Sequence, residues 1–265
     1  MEYRSQTISV VLVTDNNVTT VERALESVKW VDEIIVVDRG SHDGTLEIVR
    51  KFTKKVFYHP SEDQAVLRNF GFSKVKKYDW VFCLDPWEWM EEMLKHEIDG
   101  ILLNTACKHD GFWIPRNLYF RGQALEHGGL APRKVVRLFK RGKGSAVDHV
   151  DEVDVEIDGK TGSLDRTIAT EPDAEVQALM DGTSKRSIRR AYAELEAGGS
   201  KSSTNKFRMS STGLVFWPMW IFFHHYILKM GVLDGFNGLL LAICRCNETF
   251  QTYAKMRLLL KPKFN

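Results

Sequence analysis

Asp38, Asp85, Glu88 and the run Asp148-His149-Val150-Asp151-Glu152 are the side chains best placed for chemistry in this 265-residue chain. Asp38 ends the apolar run Ile34-Ile35-Val36-Val37 and is followed by Gly40-Ser41-His42-Asp43-Gly44-Thr45. A buried strand that stops at a carboxylate, then a glycine turn with Ser41, Asp43 and Thr45 as cap candidates, reads as strand–turn–helix. Open α/β sheets bind ligands at that end of the strand. A carboxylate only accepts hydrogen bonds, so Asp38 suits the hydroxyls or imide N–H of a nucleotide. Asp85 ends Trp80–Leu84 in the same manner, with Glu88 close behind. Together they offer hard oxygen ligands to a divalent cation, Mg²⁺ or Mn²⁺, bridging a diphosphate.

Three further groups complete the candidates. Gln64, Arg68 and Asn69 fall on one helical stretch, where the i, i+4 pair Gln64/Arg68 shares a face that suits ribose or phosphate. His127-Gly128-Gly129 reads as a flexible loop with one polar ring, a lid over an acceptor site. The acids around His149 offer a general base for an attacking hydroxyl. Each has a plainer reading: strand-end acids cap helices, a lone histidine is structural, and an acidic run is an exposed turn.

These residues need a scaffold, and the pattern supplies an α/β one. Strands are expected at Ile8–Val13, Ile34–Val37, Val56–Tyr58 and Trp80–Leu84, with amphipathic helices between them. Val21, Ala24, Leu25 and Val28 share one helical face, and Leu46, Val49 and Phe52 another. Such alternation predicts right-handed crossovers and a mostly parallel sheet flanked by helices. A helix is expected through Met93–Leu102. Gly111–Pro115 and Val135–Phe139 read as an antiparallel extension around the loop Arg121–Pro132. Strand-like segments with turns fill Val153–Ile168, and Ser184–Leu195 reads as a charged helix. The expected division is a body over 1–196, a Gly/Ser-rich linker over 197–209 and a helical region over 210–265.

Ser210–Leu228 holds no charged residue but two Trp and three Phe, interrupted by Pro218 and His224-His225. Met230–Cys244 is a second apolar stretch broken by Asp234 and three glycines. From Lys201 onward there are nine Lys or Arg against two acids, so the first 200 residues are net acidic. A basic, aromatic tail on an acidic body predicts helices lying on an anionic membrane surface, ahead of a spanning hairpin or a soluble helical subdomain. No nucleic-acid motif is present, and no nucleic-acid partner is expected. Cys83, Cys107, Cys244 and Cys246 lack metal-ligand spacing and read as reduced thiols. The start, Met1-Glu2-Tyr3-Arg4, carries no signal peptide, which predicts a peripheral or monotopic protein on the cytoplasmic side of the inner membrane.

Taken together the segments resemble the family 2 glycosyltransferases of GT-A (Rossmann-like) fold. More narrowly, they resemble bacterial lipopolysaccharide inner-core transferases of the β-1,4-glucosyltransferase type. The resemblance rests on Thr14-Asp15-Asn16, on Trp30–Asp38 with Gly40–Thr45, and on Gln64–Asn69. Further matches are Pro115-Arg116-Asn117, His127-Gly128-Gly129, Arg137–Gly144 and the tail Leu233-Asp234-Gly235. It implies inverting transfer from a nucleotide sugar, usually UDP-linked, to a lipid-linked saccharide. The implied donor site is Thr14, Asn16, Asp38, Gly40, Ser41, Asp43, Gln64, Arg68, Asn69 and Asp85. Metal would sit on Asp85 and Glu88, the acceptor at His127, Gly128 and Gly129, and the base would be Glu152 with Asp151 in reserve. The chain departs from the family at Asp85-Pro86-Trp87-Glu88, where Trp87 replaces a metal carboxylate. Asp15-Asn16-Asn17 likewise replaces Lys-Asn-Glu. Two other readings follow from these departures: a non-catalytic module that binds sugar nucleotides or glycans or acts as a scaffold, and a nucleotidyltransferase.

Overall fold

The computed structural model describes residues 5–129, 133–149, 153–171, 176–198 and 202–260. The chain forms two compact units, Met1–Asn117 with Pro132–Pro172, and Leu118–Ala131 with Asp173–Asn265. This division differs from the expected one, because the charged helix Val176–Glu196 and the loop after residue 117 group with the C-terminal helices.

In the first unit, β1 (Ile8–Thr14), β2 (Glu33–Asp38), β3 (Val56–Tyr58) and β4 (Trp80–Leu84) stand where the sequence placed them. They alternate with α1 (Val21–Ser27), α2 (Thr45–Phe52) and α3 (Gln64–Lys74). β5 (Glu88–Met90), α4 (Glu92–Leu103), β6 (Gly111–Phe120) and β8 (Arg133–Lys140) follow; the end of β6 and the short β7 (Gln123–Ala124) fall in the second unit. β9 (Gly144–Asp148) and β10 (Val153–Ile157) form a hairpin, and β11 (Thr161–Ser163) and β12 (Ile168–Thr170) complete the unit.

The sheet order is β3-β2-β1-β4-β8-β6-β12-β5. β3, β2, β1 and β4 run parallel, whereas β8 pairs antiparallel with both β4 and β6, and β12 with β5. The sheet is therefore mixed rather than mostly parallel. β6 and β8 form the expected antiparallel pair and extend the same sheet from β4; between β6 and β8 no helix intervenes to carry the chain back for a parallel return. The parallel strands β1, β2 and β4 are buried at every position, as expected for strands covered on both faces.

The second unit holds α5 (Val176–Glu196), α6 (Ser203–Arg208), α7 (Gly213–Phe223) and α8 (Gly235–Leu260). A π-helical turn, His224–Leu228, and a 3₁₀ turn, Gly231–Asp234, join the last two helices. α6 begins inside the expected linker, where buried Asn205 bonds Glu194 at 3.1 Å. Ala191, Met209, Tyr253 and Met256 form one small core, and Phe120, Leu125 and Cys244 another. No single described helix is long and apolar enough to cross a membrane. The segments Gly213–Leu228 and Gly231–Leu260, bent by 74°, meet that criterion only as a pair, by length and composition.

α3 lies close against β1 at Gly71, where an added Cβ would fall 2.4 Å from Val11 Cγ1. Gly71→Ala is expected to cost about 1–3 kcal/mol of stability, read as a lower denaturation midpoint. An unchanged midpoint would show that α3 can lift from the sheet without penalty.

Candidate functional site

The carboxyl ends of the parallel strands gather most of the expected donor residues. Thr14 and Asp38 are register partners on β1 and β2, and Leu12 pairs with Leu84, one residue before Asp85. Asp38 and Asp85 thus end the strands on either side of β1, about 10 Å apart at two strand spacings.

The two loops beyond β1 and β2 are laced together. Asp38 accepts from the Gly40 N–H (2.9 Å), the Ser41 N–H (3.1 Å) and the Ser41 hydroxyl (2.6 Å). Ser41 Oγ also accepts from the Asn16 N–H, and Asn16 Oδ1 accepts from the His42 N–H, both at 2.9 Å. Asn16 (φ 54°) and Gly40 (φ 121°) take left-handed conformations that make the crossing possible. Arg39 meets Asp15 at 2.5 Å. The cap of α2 differs from expectation: Gly44 stands at the N-cap, and Asp43 accepts from the N–H and hydroxyl of Thr45 and from the Val18 N–H. What burial Asp43 has pushes its carboxyl up, but these hydrogen bonds outweigh it and hold the carboxyl below its ordinary range.

Beside Asp38 opens a cleft of about 690 Å³ lined by Gly40, Ser41, Arg50, Lys54 and Tyr58 among others. Tyr58, at the end of β3, is the register partner of Asp38 and is 66% exposed. A flat base stacked on that ring would bring its polar edge to the acceptor on the adjacent strand. Neither Arg68 nor Asp85 lines this cleft.

Asp85 and Glu88 have a different surrounding from the one expected. Arg68 donates to Asp85 at 2.5 Å and to the Val153 carbonyl at 2.8 Å. Arg137 donates to Asp85 at 2.7 Å and to Glu88 at 2.8 Å, and Arg116 lies 3.7 Å from Glu88. Glu88 also accepts from the Asp85 N–H at 3.1 Å. All four principal side chains are buried, Glu88 and Arg137 to 0% and 2% exposure. Burial pushes the Asp85 carboxyl up, but the Arg68 and Arg137 guanidiniums, with Arg116 behind them, hold it below the ordinary carboxylate range. Burial pushes the neighbouring Cys83 thiol up despite the same arginines, so it stays neutral.

A divalent cation does not fit the pair as arranged. Each carboxylate already faces a guanidinium, and among the described residues no group of three His, Cys, Asp or Glu side chains could hold a metal. Asp85 and Glu88, expected as metal ligands, are thus paired with arginines in this arrangement. Asn69, expected at the donor, is engaged with Ala146: its amide accepts from the Ala146 N–H (2.8 Å) and donates to the Ala146 carbonyl (2.9 Å). Gln64 is half-buried at the first position of α3, capped by Asp63. Asp151 and Glu152 lie outside the described residues; nearby His149 sits 4.0 Å from Glu156.

In the second unit, His127-Gly128-Gly129 is tied down rather than free. Buried Asp234 accepts from the His127 N–H at 3.0 Å, and His127 Nδ1 lies 2.9 Å from its other oxygen. The Gly128 N–H donates to Lys229, and His225 Nδ1 lies 2.6 Å from the Gly128 carbonyl.

Sequence reasoning missed Arg137, Tyr58 and the anchoring role of Asp234. Arg137 left a signal: it is a charged residue inside the apolar run Val135-Val136-Arg137-Leu138-Phe139, buried throughout. Arg137→Met is expected to cost about 3–5 kcal/mol, because two carboxylates lose a buried cation. The depressed Asp85 value makes its contribution to stability full above the unfolded value of about 4 and lost as pH falls below it. Acid unfolding of wild type should show that loss, and Arg137→Met should flatten it; parallel pH profiles would refute the coupling.

Residues 9–96 match the family model described as Glycosyl transferase family 2. An uncharacterised glycosyltransferase of Rickettsia typhi is 26% identical over 261 residues, covering 94% of this chain and 86% of that protein. A lipopolysaccharide core biosynthesis glycosyltransferase, LpsC of Rhizobium meliloti, is 26% identical over 142 residues, 52% of each chain. The crystal structure of S. aureus TarS 1–349 in complex with UDP aligns at TM-score 0.46 and 14% identity, covering 95% of this chain and 90% of that one. Residues 9–96 are thus similar to the family 2 glycosyltransferases, and the chain over most of its length is similar to uncharacterised glycosyltransferases.

Proposed function

We propose that this protein transfers a sugar from a UDP-linked nucleotide sugar to a lipid-linked saccharide of the cell envelope, working on the cytoplasmic face of the inner membrane. One observation carries the reading. The segment that matches family 2, residues 9–96, is the one that sets Asp38 and Asp85 at the carboxyl ends of strands flanking β1. In this reading the base stacks on Tyr58 while Asp38, on the adjacent strand, accepts from its imide or from the ribose. Arg68 and Asp85 face the ribose–diphosphate end. Glu152, with Asp151 in reserve, takes the proton of the attacking acceptor hydroxyl, and His127-Gly128-Gly129 belongs to the acceptor side. The half-length similarity to LpsC supports a lipopolysaccharide-type acceptor.

Membrane association is supported by α7. Val215, Phe216, Met219, Trp220 and Phe223 recur at i, i+1, i+4, i+5 and i+8, and all are exposed, Phe216 to 65% and Met219 to 62%. With nine basic residues against two acids from position 201 on, this stripe suits anionic lipid. The arginine partners of Asp85 and Glu88 favour a second reading, a module that binds the nucleotide sugar without transferring it.

Calorimetry with UDP should show binding, and Tyr58→Ala should weaken it by about 1–3 kcal/mol. Silence toward UDP, GDP, dTDP and CMP alike would remove the donor reading. Slow hydrolysis of UDP-glucose, abolished by Glu152→Gln, separates the transferase from the binding module. In flotation with phosphatidylglycerol vesicles the wild type should rise with lipid and the Phe216→Glu, Met219→Glu double variant should not. Equal flotation of the two would detach the stripe from membrane binding.

A further inference from the structure

Two carboxylates at the end of a central strand that are both saturated by buried guanidiniums call for an account of what neutralises a bound diphosphate. Arg68 comes from α3 and Arg137 from β8, and they reach Asp85 from two sides, on Oδ1 and Oδ2. Arg137 also reaches Glu88 through the same terminal nitrogen. The Nε atoms of Arg68 and Arg137 are buried and have no hydrogen-bond partner, so each guanidinium keeps donor capacity beyond its carboxylate.

A cation arriving at Asp85 and Glu88 would have to displace both arginines. It would leave two buried positive charges beside a third, which is unfavourable without new anions. Removing the arginines is not an alternative either, since they are sealed beneath the strand ends at 6% and 2% exposure.

We propose that the donor site of this protein works without a divalent cation, with Arg68 and Arg137 standing in the charge-compensating place. The two guanidiniums fix Asp85 as an ionised acceptor for the donor, and their field, with that of Arg116, offsets the charge of the adjoining diphosphate. Arg137 is a positioning residue in this arrangement, acting through Asp85 and Glu88. The choice of ligand rests on the nucleotide-sugar reading above; the closure of the carboxylates to metal does not.

The test is titration of UDP into the full chain with Mn²⁺ and again with chelator, alongside a titration of Mn²⁺ alone followed by its electron paramagnetic resonance. Equal UDP affinity within about twofold under the two conditions is the expected result, as is the absence of Mn²⁺ uptake by the protein alone. Tightening by Mn²⁺ of roughly tenfold or more, the usual size of coupling between two linked ligands, would overturn the proposal. So would saturable Mn²⁺ binding without nucleotide. If UDP fails to bind under any condition, the donor reading falls while the Mn²⁺ titration still decides whether the carboxylates are closed. Arg137→Gln adds a readout that a purely structural arginine would not move: UDP affinity should drop and become Mn²⁺-responsive. A folded Arg137→Gln that binds UDP like wild type, with no response to Mn²⁺, would overturn the role given to the guanidinium. Arg68→Lys, which keeps the charge, should remain indifferent to Mn²⁺.

Discussion

The cluster of Arg68, Asp85, Arg137 and Glu88 is the constraint on which the first unit depends. Desolvating ions of this kind costs several kcal/mol each, and mutual attraction offsets that only when hydrogen-bond geometry is good. Here it is good: Asp85 receives one guanidinium on each oxygen, Glu88 receives Arg137 and the Asp85 N–H, and Arg68 spends a second donor on Val153. The same bonds cross-link α3, the end of β4, β5, β8 and β10. The parallel and antiparallel halves of the sheet therefore meet at one charged knot. None of its members can be deleted singly without leaving an uncompensated charge in the core.

The other half of the candidate site is held by neutral geometry. Between the ends of β1 and β2, side-chain oxygens of Asn16, Asn17, Asp38, Ser41, Asp43 and Thr45 take up the backbone N–H groups that the turns leave free. Asp38 gives part of its accepting capacity to its own turn, so what it offers a ligand is a fixed direction rather than an unencumbered charge. With roughly four lone-pair sites, a carboxylate has room for both tasks. The contrast between the two strand-end acids is thus one of partners: Asp38 is oriented by amides and a hydroxyl, Asp85 by cations.

Much of this was legible in the sequence, for definite reasons. Ile8–Val13, Ile34–Val37, Val56–Tyr58 and Trp80–Leu84 announced strands because central parallel strands are apolar on both faces. The turn after Asp38 was legible at Gly40 because turn chemistry is local, although Ser41 bonds Asp38 and Gly44 takes the N-cap of α2. Long-range pairing was not legible. Arg137 is 52 residues from Asp85, and only the antiparallel return of β8 beside β4 brings them together. The arginine partners of Asp85 and Glu88 were hidden for that reason: local spacing showed two acids and could not show which cations the fold would deliver. The engagement of Asn69 was hidden likewise, because its partner Ala146 lies on the distant β9. The unit boundary shifted because α5, charged along most of its length, still buries Thr183, Ser187 and Ala191 among the C-terminal helices.

Within the membrane association proposed above, Asp234 favours helices lying on the surface over a spanning pair. A carboxylate between two apolar segments would be expensive at the depth of acyl chains unless satisfied by protein. It is satisfied, by the N–H groups of Glu126 and His127 and by the His127 ring, all supplied by the loop that follows β7. The break in the helix pair is therefore built around a folded polar contact, and the pair bends by 74° there instead of continuing. His225 and the Lys229 carbonyl bind Gly128 of the same loop, so the polar side of the break is committed to protein. The stripe from Val215 to Phe223 makes no comparable commitment and stays exposed. A segment polar-anchored on one side and apolar-exposed on the other has the asymmetry that the proposed surface association requires.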